Sequence, residues 1–297
     1  MLLDPRRVLI LKDVIEATSI SGAARVLGWT QPAVTHHIGA LERSVGMPLL
    51  LRRSTGVTPT QAGKALLAHA DAIASHLAAA EAELEEMRLC RSGTVRVAAF
   101  PSALATLIPH AMTRIHKDSG LHIRLTEAEP DEAMKLLHDD DVDVAIVFSY
   151  ADTQLTDISE SFDRLTIAMD PVALLLPPTH PLAHKQDLHL TDLADDAWVA
   201  GCPRCREHLV SMAHRAGFEP RIDHETDDYV VVQSLVSQGL AVSVLPMVAL
   251  AAYRNEDVVV RDAPELTGRR IDALFRPGAD RVPSIAAVLG ALTNDAV

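Results

Sequence analysis

At 297 residues, 48% of them hydrophobic, with a net charge of −13, the chain has the balance of a globular protein with room for two domains; it is neither a disordered polymer nor a fibre. Aromatic residues make up only 3%, which argues against stacking platforms for single-stranded nucleic acid, and three cysteines are too few for a disulfide framework. No basic start leads into a long apolar run, so no signal peptide is expected, and the expected location is cytoplasmic.

Charge is unevenly spread. Through Gly63 seven basic residues stand against four acidic ones, so the acidic excess lies wholly in the remainder. A basic head on an acidic body approaches phosphates head-first. Within the head, Val8, Leu11, Val14 and Ile15 predict a backing helix over residues 6–17. Residues 21–27 predict a short second helix, with Ser21 as its cap and Gly28 as its stop, because glycine takes positive φ without strain. Thr30 is placed to cap a third helix, and Pro32 is tolerated in its first turn. Val34, Ile38 and Leu41 fall on the buried stripe of that helix, leaving Gln31, Thr35 and His36 outside. Residues 49–58 read as strand, turn, strand, with Arg52 and Arg53 where a wing meets phosphates. Two helices joined by a glycine turn, with a polar face on the second, describe a winged helix-turn-helix for double-stranded DNA.

Residues 64–91 are rich in alanine and glutamate. Leu66, Ala70, Ile73, Leu77, Ala80, Leu84 and Met87 repeat at alternating spacings of four and three, a heptad seam that needs another surface to cover it. The expectation is a linker helix that makes a homodimer, with a tetramer built from such pairs. Ser92-Gly93 marks the next boundary.

Beyond it, short strands are expected at 94–99, 121–127, 143–148, 165–168, 172–176, 198–200, 221–226, 241–245, 258–260 and 269–275. Helices are expected at 104–116, 131–138, 229–238 and 285–292 among others. This alternation predicts an α/β domain with a largely parallel sheet. Residues 229–253 lack charge, but Gln233, Gly239 and Pro246 interrupt them, so they read as helix then strand rather than a membrane span. Crossings near 165–176 and 269–275 divide residues 92–297 into lobe I (about 92–165 and 270–297) and lobe II (about 166–269), with a ligand cleft between the lobes.

The pattern Ala23-Ala24, Leu27, Thr30-Gln31-Pro32-Ala33-Val34-Thr35, Ile38, Ala40-Leu41-Glu42, Gly46, Pro48-Leu49, Arg52-Arg53, Thr58, Thr60 and Ala62-Gly63 resembles the DNA-binding domain of LysR-type transcriptional regulators. Residues 143–147, Pro177, His180-Pro181-Leu182, Gly217-Phe218, 235–240 and Leu245-Pro246 are similar, more loosely, to their two-lobed α/β effector domain, which resembles periplasmic binding proteins. The resemblance implies an α + α/β protein: an N-terminal winged helix-turn-helix over 1–63, a linker helix over 64–91 and an effector-binding domain over 92–297. It implies a sequence-specific transcription regulator modulated by a small molecule. Ala241 and Asp140-Asp141 depart from the glycines common in the family, and His36-His37 from its usual Arg/Gln-type pair.

For base readout the expected residues are Gln31, Pro32, Thr35 and His36, because Gln bonds bidentately to adenine while Pro and the Thr methyl meet thymine methyls. Ser21, Thr30, Arg52 and Arg53 are the expected phosphate contacts. For the effector, Phe100, Ser102, Ala103, Glu129, Phe148, Gly201, Cys202, Thr226 and Asp227 sit at strand ends, where amides and helix starts face a cleft. Ser102 reads equally as a simple helix cap. Asp227 and Asp228 repel a dicarboxylate and suit an amine if they face the cleft. As helix-start residues they read equally as caps.

Cys202-Pro-Arg-Cys205, with His208 and His214 downstream, leaves open plain cleft-edge residues, a thiol switch or a metal site. No cofactor, metal or catalytic centre is expected. The rival function is an enzyme on a DNA-binding head, a Cys/His hydrolase using Cys202 and His208; against it, the chain carries no nucleophile elbow, phosphate loop or paired acids. A solute-binding protein is a third reading.

Overall fold

The computed structural model describes residues 3–53, 56–151 and 157–293, and the chain falls into two compact units, Met1–Glu86 and Met87–Val297. In the first, α1 (Pro5–Glu16), α2 (Ile20–Leu27) and α3 (Gln31–Val45) pack around the fully buried Leu11, Val14, Ala23, Val34 and Leu41. Gly28 ends α2 in the left-handed region at φ 68, and the Thr30 hydroxyl caps α3 by accepting the Ala33 amide at 3.4 Å. The cap of α2 is Ser19, not Ser21. Ser19 is extended, and its Oγ accepts the Gly22 amide at 3.0 Å. Ile20 packs on the core and is already helical, so the helix begins earlier than Ser21 allows.

Strand β1 (Leu50–Arg53) pairs antiparallel with β2 (Gly56–Pro59); Ser54 and Thr55 of the expected turn lie outside the described residues. Helix α4 (Gln61–Arg88) starts before residue 64 because Thr60 caps it, its Oγ1 accepting from the Gly63 amide at 3.0 Å. Gly63 is required there: a Cβ would collide with the Leu49 carbonyl oxygen. The heptad seam divides. Ala70 is buried and Leu66 and Ile73 pack on the core, whereas Leu77 and Leu84 are 50% and 65% exposed.

The second unit holds two lobes. Lobe I is a five-stranded sheet in the order β4-β3-β5-β12-β6, made of β3 (Thr94–Ala99), β4 (His122–Glu127), β5 (Val144–Tyr150), β6 (Asp163–Asp170) and β12 (Arg269–Phe275). Helices α5 (Pro101–Ala105), α6 (Leu107–Asp118), α7 (Pro130–His138) and α11 (Pro283–Thr293) belong to it. Lobe II carries β7 (Val172–Leu176), flanked antiparallel by β10 (Ser243–Pro246) and β11 (Val259–Arg261), and a parallel pair, β8 (Ala197–Ala200) with β9 (Arg221–Glu225). Its helices are α8 (Pro203–Ala216), α9 (Tyr229–Ser237) and α10 (Met247–Ala252).

Three expectations change. The sheets are mixed: β3 pairs parallel with β4 and β5, but β12 runs antiparallel to β5 and β6 because the chain returns from lobe II to close lobe I. The helix expected over 104–116 breaks at Thr106 (φ −129, ψ −77), since Pro109 lacks an amide and fits only in a first turn. The lobe boundaries move as well. All of β6 and β12 lie in lobe I, so the crossings fall at Pro171 and Gly268 rather than at 165/166 and 269/270.

Candidate functional site

In the first unit, burial of Val34, Ile38 and Leu41 turns the opposite face of α3 outward. Gln31, Pro32 and His36 are exposed there and Thr35 is half-buried, its hydroxyl donating to the Gln31 carbonyl at 2.9 Å. The Ser21 hydroxyl lies 3.4 Å from Gln31 Oε1, so it borders the same face although it caps nothing. Thr30 is exposed beside them, and Arg52 and Arg53 are exposed on β1. All eight expected residues therefore stand at or near the surface of this unit. Two structural residues had no sequence assignment. Glu42 accepts the Leu49 and Leu50 amides at 2.8 and 3.2 Å and ties α3 to the hairpin. His37 packs on Trp29 with ring centroids 5.2 Å apart, so only His36 of the histidine pair is available outward.

In the second unit, the strand ends surround a cavity with about 710 Å³ of empty space, counting its open mouth. Its floor is a buried charge. Arg269, 3% exposed, bonds Asp170 at 2.8 Å and the Ser102 hydroxyl at 3.1 Å, and its guanidinium lies 4.7 and 4.3 Å from the ring centres of Phe100 and Phe148. Arg269 opens β12 and Asp170 closes β6, so this pair holds the two chain crossings together. A buried ion pair that also satisfies a hydroxyl and two ring faces is well compensated.

The opposite wall carries the thiols. Cys202 donates to Cys205 Sγ across 2.8 Å, and Tyr150, stacked on His208 at 3.7 Å, places its hydroxyl 3.7 Å from Cys205 Sγ. The hydrogen bond from Cys202 lowers the Cys205 thiol pKa, as do the Arg269 charge and the Tyr150 hydroxyl. The same bond, together with burial, pushes the Cys202 thiol up. His208 turns Nε2 to the Thr267 carbonyl at 3.0 Å, and His214 pairs with Glu219. Among the described residues no three His, Cys, Asp or Glu side chains converge as a metal site.

Of the expected effector residues, Phe100, Ser102, Glu129, Phe148, Gly201, Cys202, Thr226 and Asp227 line the cavity. Ala103 does not. It is fully buried in the lobe I core, because α5 begins at Pro101 and turns that side chain inward. Ser102 caps no helix; its hydroxyl is taken up by Arg269. At the next helix start the cap is Asp228, which accepts the Val230 amide at 2.8 Å, leaving Asp227 at the cavity mouth. Sequence reasoning passes over Asp170, Tyr150 and Arg269. The one local signal for Asp170 and Arg269 is a charge at the end of a strand, and it does not single them out, because β6 also carries Asp163 and Arg164 and β12 also carries Arg270 and Asp272.

Comparison with known proteins agrees with both halves. Residues 5–64 match the family described as "Bacterial regulatory helix-turn-helix protein, lysR family", and residues 91–296 match "LysR substrate binding domain". A probable HTH-type transcriptional regulator, LrrA, of Synechococcus elongatus is 29% identical over 97% of this chain and 95% of its own length. A probable hydrogen peroxide-inducible genes activator of Mycobacterium avium is 27% identical over 95% of this chain and 91% of its own. A full-length OxyR variant of Pseudomonas aeruginosa shares the fold with a TM-score of 0.74 at 17% identity, over 98% of this chain and 100% of that one.

Proposed function

The chain belongs to the LysR family of DNA-binding transcription regulators, and from that premise we propose which residues do the reading and what conditions it. Gln31, Pro32, Thr35 and His36 read base edges in the major groove, while Ser21, Thr30, Arg52 and Arg53 hold phosphates. The observation that carries this assignment is the outer face of α3: polar, exposed, and flanked by two exposed arginines on the hairpin. A small molecule in the cleft of the second unit modulates DNA binding or activation by favouring one arrangement of the regulator. The exposed Leu77 and Leu84 support a homodimer through α4, with a tetramer from two such pairs. No catalysis and no resident cofactor are part of this reading. Among the described residues no helix is long and apolar enough to cross a membrane, and cytoplasmic action follows from the DNA target.

An electrophoretic shift on DNA upstream of the gene tests the assignment. Gln31→Ala should weaken binding by the roughly 1–3 kcal/mol of a bidentate base contact and relax base preference. Arg52→Ala should weaken binding to all sequences and reduce the salt slope by about one. Unchanged binding in both variants would remove α3 and the hairpin from the interface.

The 2.8 Å separation of the Cys202 and Cys205 sulfurs supports a second reading, in which the cleft responds to oxidants. The relative named for hydrogen peroxide points the same way. One peroxide would take two electrons and two protons from the thiols, leaving a disulfide and two waters. Thiol counting after peroxide treatment decides it: the loss must be two, must need both residues, and must spare Cys90.

A further inference from the structure

The charges around the cleft are not balanced. Arg269 is the only lysine or arginine lining it among the described residues, and its guanidinium is engaged by Asp170, Ser102 and the two phenylalanine faces. No lysine or arginine charge is left over for an incoming anion. Two carboxylates, by contrast, form no ion pair among the described residues. Glu129 occupies the cap position of α7 yet makes no capping hydrogen bond, and its Oε2 is buried without a partner. Burial pushes its carboxyl up and the negative charge of Asp227 adds to this; the Cys202 thiol and the Arg269 charge offset it only in part. Asp227 stands exposed at the mouth of the same cleft. A buried carboxyl oxygen with no donor is a standing cost that a bound donor removes.

Taking the cleft as the effector site, as above, we propose that its effector is a cation: a protonated amine on a compact apolar body. The ammonium is seated against Glu129, with Asp227 drawing it in at the mouth. An ammonium brings both the positive charge and the N–H donors that Oε2 lacks. The remaining wall at Val244, Leu245, Pro246 and Ala249 is apolar and receives the body. A carboxylate effector would meet two negative groups and, among the described residues lining the cavity, no lysine or arginine that is not already engaged.

The test uses the full chain and three probes sharing one ring: phenethylamine, 2-phenylethanol and phenylacetate, titrated by calorimetry. The amine should bind at least tenfold tighter than the other two. Glu129→Gln, which keeps shape and removes charge, should abolish that preference without lowering the melting temperature, since it also lifts the cost of burying the ionised carboxyl. Asp227→Asn, an exposed change that leaves the fold alone, should weaken the amine by a smaller factor. Phenylacetate binding as tightly as the amine, or an amine affinity indifferent to E129Q, overturns the inference while leaving the cleft as an effector site. Binding that survives Leu245→Trp, which fills the cavity, overturns the cleft reading itself. Failure of all three probes also overturns the inference, since the Glu129 contact would hold even a poorly shaped amine.

Discussion

In the first unit the polar side chains assigned to DNA stand at or near the surface, and burial is left to apolar neighbours such as Val34 and Leu41. In the second unit the site is built the opposite way. Arg269 and Asp170 are buried at 3% and 2% exposure, and the cavity is shaped around their pairing. The difference follows from the ligands. A DNA backbone is a large external polyanion, met by side chains that stay hydrated until contact. A small effector must be enclosed, so its site removes charged groups from water and must compensate each one. Substitutions on the DNA-facing surface of the head should therefore change binding more than stability, and substitutions of the buried charges of the cleft should change both.

The largest expected effect is Arg269→Ala. It leaves Asp170 buried and uncompensated, and should cost the second unit about 3–5 kcal/mol in denaturant unfolding. The neutral pair Asp170→Asn with Arg269→Gln should recover part of that. A loss no greater than that of an exposed arginine would mean the pair does not hold the cleft floor. In the head, Ser19→Ala should cost about 1 kcal/mol through its lost cap, while Ser21→Ala should leave stability unchanged. Equal losses would return the cap to Ser21.

The smallest effect separates two carboxylates by pH. Burial pushes the Asp143 carboxyl up, but hydrogen bonds from Arg96 outweigh it and hold the group below its ordinary range. Its stabilisation is present above the ordinary carboxylate value and is lost as pH falls through the lowered folded value. Arg96 is 39% exposed, so solvent screens the pair and the slope should be shallow. Glu129 has the opposite sign. Its raised carboxyl opposes folding when ionised, and that penalty lifts as pH falls through the raised value. Stability measured against pH in D143N and E129Q should show slopes changed in opposite directions.

The head was legible because its information is local. Caps, glycine stops and the apolar spacing of α3 lie within a few residues of what they control, and only the choice between Ser19 and Ser21 depended on Ile20 packing inward. The strand-end positions around the cleft were legible too, since eight of the nine residues expected there line the cavity. What they do there was not. Whether Ser102 is available depends on Arg269, and Arg269 on Asp170, which lies about a hundred residues earlier in the chain. The two units, the winged helix-turn-helix and the ring of residues around the cleft were readable from the order of amino acids alone, because periodicity and turn chemistry act between near neighbours. It took the folded chain to engage Arg269 with Asp170 and Ser102 while leaving Glu129 an oxygen without a partner. Charge compensation acts through space, between groups brought together by the two crossings of the chain.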